Sequence, residues 1–364
     1  MNARLPILAV WLLCLLFASL ASFAHHSDVG IDESRTVELR GTVTEFRWRM
    51  PHVYLDMEVI ENGQPTAWNI QLVGINILTR QGWKKDSLTP GEEIIVQAYP
   101  GDNGRTHGKL ISMTFADGSP VALDPEAPEV VLTPNDSMDG KWSGRNPVEA
   151  SNNNEAPPPP PLVDQEHESE DKSCSGGFDC FFIQNLVLTD AAKQARAEYD
   201  PLSTENPETT CVGRPTPAAL VSARGYLQEW DLSQQEEKII IHSEWFNEKR
   251  TVWMDGRGHP DPSETIATGH SIGKWEGDTL VVDTANFDYH RSPYQIGVPS
   301  STQKHVVERY TLIDDGRKME AEFTLEDPVY LAEPLVKSNL LYNSPDMQMH
   351  TADCDPANTS QFIK

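Results

Sequence analysis

Val53-Tyr54-Leu55-Asp56-Met57-Glu58-Val59 alternates apolar and polar side chains without a break. Val53, Leu55, Met57 and Val59 share one face while His52, Tyr54, Asp56 and Glu58 share the other, which is the period of a strand with one side in a core. Working outward, strands are expected over 37–48, 68–72, 93–98 and 109–115, with a short helix over 74–82. Asn62-Gly63 supplies a hairpin turn and Pro90-Gly91 a turn before the fourth strand. Five strands with one helix between the third and fourth is the order of an OB-type barrel.

Upstream of this barrel, one basic residue, Arg4, precedes an apolar run from Leu5 to Phe23, then Ser22-Phe23-Ala24 and His25-His26. The pattern is that of a cleaved export signal over residues 1–24, too short and wrongly flanked for a stable span. The chain is therefore expected to be periplasmic or secreted, with no integral membrane segment after processing. Cleavage would put His25 at the mature terminus.

The chain carries 29 Lys+Arg against 55 Asp+Glu, a formal charge of −26. Such a surface repels phosphate backbones and anionic lipid, which argues against nucleic acid as a partner. Downstream of the signal stand Cys174, Cys180, Cys211 and Cys354. An even count in an exported protein favours two disulfides, read as Cys174–Cys180 across a small loop and Cys211–Cys354 tying the second domain's start to its end. Their spacing fits no zinc template.

Residues 124–175 turn to Pro, Asn, Glu and Ser, with five consecutive prolines from Pro157 to Pro161. This stretch is expected to be a polyproline spacer followed by an acidic disordered segment. It divides an OB-like domain, 25–123, from a second domain, 176–364. That second domain opens with a helix capped by Thr189 and continues as three hairpins: 238–243 with 250–254, 271–275 with 279–283, and 305–313 with 318–325. Sequential hairpins predict an antiparallel barrel or curved sheet, a lipocalin-like meander, so the whole chain is expected to be mainly β.

His25-His26-Ser27, the run Gly41 to Trp48, Pro51-His52, Arg80-x-Gly82-Trp83 and Leu88-x-Pro90-Gly91 resemble an exported bacterial domain family of unknown function. Where that family usually has Asn before Pro-His, this chain has Met50. The resemblance covers the first domain and implies its compartment and fold but no activity. The runs 254–260 and 271–283 are similar to uncharacterised exported proteins that carry the same pair of domains.

Ionisable residues crowd the strand ends and loops of the second domain. Asp255, His259, Asp283 and His305 are the candidates for acid–base work, because imidazole beside a carboxylate titrates near neutral pH. Arg257, His270, Trp275 and Arg309 are the candidates for ligand binding. His305 and Glu308 lie three apart on one strand and should face opposite sides. No His-Glu-x-x-His pair occurs in the chain. A mature His25 could chelate copper through its amine and ring, with His26, His52 or His107 completing a brace, and a merely soluble His-His terminus is the plainer reading of the same residues. The leading reading is a β barrel that receives a small organic ligand. A copper-binding protein using His25, and a hydrolase or lyase using the His259 loop, are the alternatives, and oligomeric state is left open.

Overall fold

The computed structural model describes residues 31–32, 34–101, 104–121, 132–146, 178–223, 225–233, 237–351 and 353–359. The first barrel is built from β1 (Val37–Arg47), β2 (Tyr54–Glu61), β3 (Gln64–Gln71), helix α1 (Ile75–Arg80), β4 (Glu93–Pro100) and β5 (His107–Phe115). It closes in the order β1-β2-β3-β5-β4, with β3 and β5 parallel, as the OB reading requires. The apolar face of the deciding run is buried as expected, Val53, Leu55 and Met57 being at most 1% exposed, while Tyr54 on the opposite face is buried as well. β1 and β2 approach so closely that a Cβ at Gly41 would sit 2.2 Å from the Glu58 carbonyl, which leaves glycine as the residue that fits.

The second barrel has nine strands. β6 (Gly140–Ser143) is followed by helices α2 (Phe178–Asn185), α3 (Asp190–Ala197) and α4 (Ala218–Ser222), and then by β7 (Leu227–Asp231), β8 (Lys238–Ser243) and β9 (Lys249–Trp253). β10 (His270–Glu276), β11 (Thr279–Ala285), β12 (His305–Ile313), β13 (Lys318–Glu326) and β14 (Leu335–Asn343) complete it. The three expected hairpins all form, and the expected cap is made, Thr189 Oγ1 accepting from the Ala192 N–H at 3.2 Å. Closure departs from a simple meander in two places. β9 and β10 pair in parallel, and β6 is inserted between β14 and β7.

β6 corrects the expected spacer, whose 124–175 range contains it. Four residues carry too little alternation to announce a strand, yet Trp142 is wholly buried and its indole N–H donates to the Met138 carbonyl at 2.8 Å. The prolines and acidic residues of 147–177 lie outside the described residues, as do Cys174 and with it the expected Cys174–Cys180 pair. Cys211 and Cys354 are bonded as expected.

The interior of the second barrel is filled. Trp230 and Tyr310 meet edge to face at 4.7 Å, and Phe182 of α2 packs on Tyr294 at 4.7 Å over one end. The other end, at the β10–β11 and β12–β13 turns, is left open by the described residues.

The two barrels are docked. Glu244, fully buried, accepts from Arg80 Nη2 of α1 at 2.5 Å, from Asn76 Nδ2 at 3.3 Å, and from the backbone N–H groups of Leu227 and His350 at 2.8 and 2.7 Å. Asn76 also donates to the Gly225 carbonyl at 2.9 Å, and Tyr226 packs into the first barrel's core. The Arg80-x-Gly82-Trp83 turn thus supplies both a clamp across the junction and, through Trp83, a core residue.

Candidate functional site

Three of the four residues expected to do acid–base work converge. Asp283 Oδ1 accepts from His305 Nε2 at 2.8 Å and from His259 Nε2 at 3.1 Å. His259 Nδ1 lies 3.0 Å from Nδ1 of His270, and His305 Nδ1 lies 3.5 Å from Glu326 Oε2. Strand pairing explains the meeting. Asp283 lies opposite Ile272 and Val307, so it shares the outer face with His270 and His305, two residues along each neighbour, while the loop after β9 brings His259 over them. Asp255 does not join; it forms a two-pronged pair with Arg257, which stacks 3.8 Å above the Trp253 ring. Arg309 pairs with Glu276 at 3.0 Å, away from His305.

The proton pattern of this relay follows from its partners. His305 has a carboxylate at each ring nitrogen, so it donates to both only as the imidazolium. Its pKa is raised, chiefly by the Asp283 hydrogen bond, against partial desolvation. Asp283 is correspondingly lowered, first by His305. With His259 Nε2 against the Asp283 carboxylate, the facing Nδ1 atoms of His259 and His270 pair only when one of them carries the proton and the other does not. His270 is lowered, by desolvation first and then by His259.

A histidine raised in the folded state contributes stability that is full below its unfolded value, about 6.5, and is lost as pH rises through the folded value. The stability difference between the native chain and His305→Gln should therefore be larger at about pH 5.5 than at about pH 8.5. In an NMR titration His305 should have its midpoint above the ordinary value and His270 below it. Reversal of that order would dismantle the relay.

A second polar cluster, which the sequence reading did not find, lies inside the barrel. Arg250 forms a two-pronged pair with Glu308, which also accepts from Thr216 Oγ1 and, at 2.9 Å, from Tyr310 OH. Arg250 donates further to Ser271 Oγ at 2.9 Å and Thr284 Oγ1 at 2.7 Å. Glu308 faces inward, opposite to His305, as their spacing implies. Beside this pair is a cavity of about 20 Å³ edged by Gln228, Ser243 and Glu248, room for about one water and no organic ligand. Burial pushes the Glu248 carboxyl up to about 7, with Arg250 and Lys304 opposing.

Space for a ligand lies at the open end. A mouth of about 1000 Å³ is lined by Trp275, Leu312, Leu232 and Met138 and rimmed by Asp136, Asp278 and Asp315. Trp275 is cross-strand from Leu280 and so belongs to the inner face, but at the last turn of the barrel it is left 49% exposed. It is the one expected ligand residue that lines this mouth. Leu312 continues the inward series Val306, Glu308, Tyr310, a signal available in the sequence; Met138 and Leu232 reach the mouth only because β6 and β7 close the barrel.

His52 is half-buried and donates from Nδ1 to the Leu72 carbonyl at 3.1 Å. His25 and His26 lie outside the described residues. Among the described residues no group of three or more His, Cys, Asp or Glu is arranged to hold a metal ion, and no helix is long and apolar enough to cross a membrane.

No curated protein matches the chain. A solved structure of the mitochondrial single-stranded DNA binding protein Rim1 from S. cerevisiae matches at 14% identity, over 22% of this chain and 92% of that one. Its TM-score of 0.19 carries no argument. Residues 12–110, spanning most of the first barrel, match a family of unknown function, DUF6152.

Proposed function

We propose that this is an exported protein that captures a small organic ligand in the mouth of its second barrel. The observation that supports this reading is the half-exposed indole of Trp275 on the inner face of a mouth of about 1000 Å³, at the upper end of the volumes that hold small organic ligands. The filled interior directs any such ligand to the mouth rather than to the barrel axis. The export signal and the bonded Cys211–Cys354 pair support an oxidising compartment. A copper brace at His25 rests on the sequence alone.

The neutral fluorescent probe N-phenyl-1-naphthylamine tests the mouth. It should brighten on titration into the full chain, and Trp275→Ala should weaken its binding roughly tenfold, the loss of one aromatic anchor. Equal affinity for the two proteins would place the probe elsewhere and end the reading.

Acid–base chemistry at the outer-face relay is a second reading, favoured by a carboxylate that orients His259 and, through it, His270. In His259→Ala the His270 midpoint should return toward the ordinary value; if it stays low, the relay does not tune His270.

A further inference from the structure

The charge of the mouth narrows what can enter it. Trp275, Leu232, Leu312 and Pro134 offer an indole and three apolar side chains, with the buried Met138 beneath them, enough to hold an apolar body. Among the described residues three aspartates line the same mouth and no Lys or Arg does. Asp315 is answered by Arg317 at 3.1 Å, whereas among the described residues neither Asp136 nor Asp278 has an ion-pair partner. Asp278 sits in the two-residue turn between β10 and β11, three residues from Trp275. An indole with carboxylates close by attracts a cation through its ring face and through Coulomb forces at once. The formal charge of −26 draws cations toward the protein and turns anions away.

Resting on the reading of the mouth as the ligand site, we propose that its ligand is an amphipathic organic cation, an ammonium or quaternary ammonium head on an apolar body. The body lies against Leu232 and Leu312. The head meets the Trp275 ring and the Asp278 and Asp136 carboxylates. A carboxylate- or phosphate-bearing ligand of the same shape would bring like charge against the rim, and a polyol would leave the aliphatic lining uncovered by apolar surface.

Three probes that share a six-carbon alkyl chain decide between head groups: hexyltrimethylammonium, hexyl glucoside and heptanoate. Each is used below its micelle concentration to displace N-phenyl-1-naphthylamine from the full chain. Hexyltrimethylammonium should displace the probe at roughly tenfold lower concentration than hexyl glucoside, with heptanoate weakest, and added salt should narrow the gap. Asp278→Asn, a change in the turn between β10 and β11, should reduce the cation's advantage over hexyl glucoside about threefold, and an unchanged advantage would take the head away from this carboxylate. Equal potency of the three heads would overturn the cation assignment with the mouth still standing as an apolar site. Preference for the glucoside would assign a sugar instead. Failure of the fluorescent probe to bind, or its indifference to Trp275→Ala, would remove the mouth itself.

Discussion

Arg250→Met should cost the protein about 3–5 kcal/mol of folding stability, read from urea denaturation at neutral pH. The methionine fills much of the arginine's volume, so the loss is not one of packing. It comes from Glu308, which has no solvent exposure and would be left as a buried carboxylate without its countercharge. Ser271 and Thr284 would lose their shared donor as well. The companion variant separates the charge from the shape: Arg250→Met combined with Glu308→Leu removes both partners and should recover much of the loss, because an apolar pair of similar volume is often as stable as a buried ion pair. A loss below about 1 kcal/mol for Arg250→Met alone would show that water reaches Glu308 and that the barrel interior is wetter than its packing indicates.

Removing the Cys211–Cys354 bond should be comparably severe. The two cysteines are 143 residues apart in sequence, so the bond closes a loop containing most of the second barrel. Chain-entropy reasoning puts the stabilisation of so long a loop near 5 kcal/mol, and the observed loss for the Cys211→Ser, Cys354→Ser double variant should fall in the range of about 2–5 kcal/mol. Thermal unfolding of the native chain with and without reductant is the parallel measurement. If reductant lowers the midpoint no more than it does in the double variant, the bond adds nothing to the folded state.

What the sequence disclosed, and what it withheld, follows from how local each signal is. Period-two alternation at 53–59 and in β8, β12 and β13 is a property of adjacent residues, and those strands stand where the pattern puts them. β14 reads Leu335-Val336-Lys337-Ser338-Asn339-Leu340-Leu341, without alternation, because most of its residues are only half-buried. β6 and β7 are too short to show a period and exist because the barrel needs them to close. The same division governs the candidate sites. His259, Asp283 and His305 could be chosen from their places in loops and strands, whereas their residue types alone did not show that Arg257, two residues on, would take the Asp255 carboxylate and keep it from joining them. Trp275 alternates inward like any core residue. Its exposure is a consequence of where the barrel ends, which is fixed by strands distant in sequence. Arg250 and Glu308, 58 residues apart, were separated by the same distance effect.

Glu244 and Cys354 together make the joint between the barrels conditional on redox chemistry. The segment that brings the His350 N–H to Glu244 ends four residues later at Cys354, which bridges to Met50 of the first barrel, and Asp355 next to it pairs with Arg49. One covalent bond anchors this strap to Cys211. In a reducing compartment the strap would be held only by its hydrogen bonds and the Arg49–Asp355 pair, leaving Glu244 with fewer donors and α1 with a looser seat. Forming the Cys211–Cys354 bond therefore tightens two things at once, the long loop of the second barrel and the seat of the first barrel upon it.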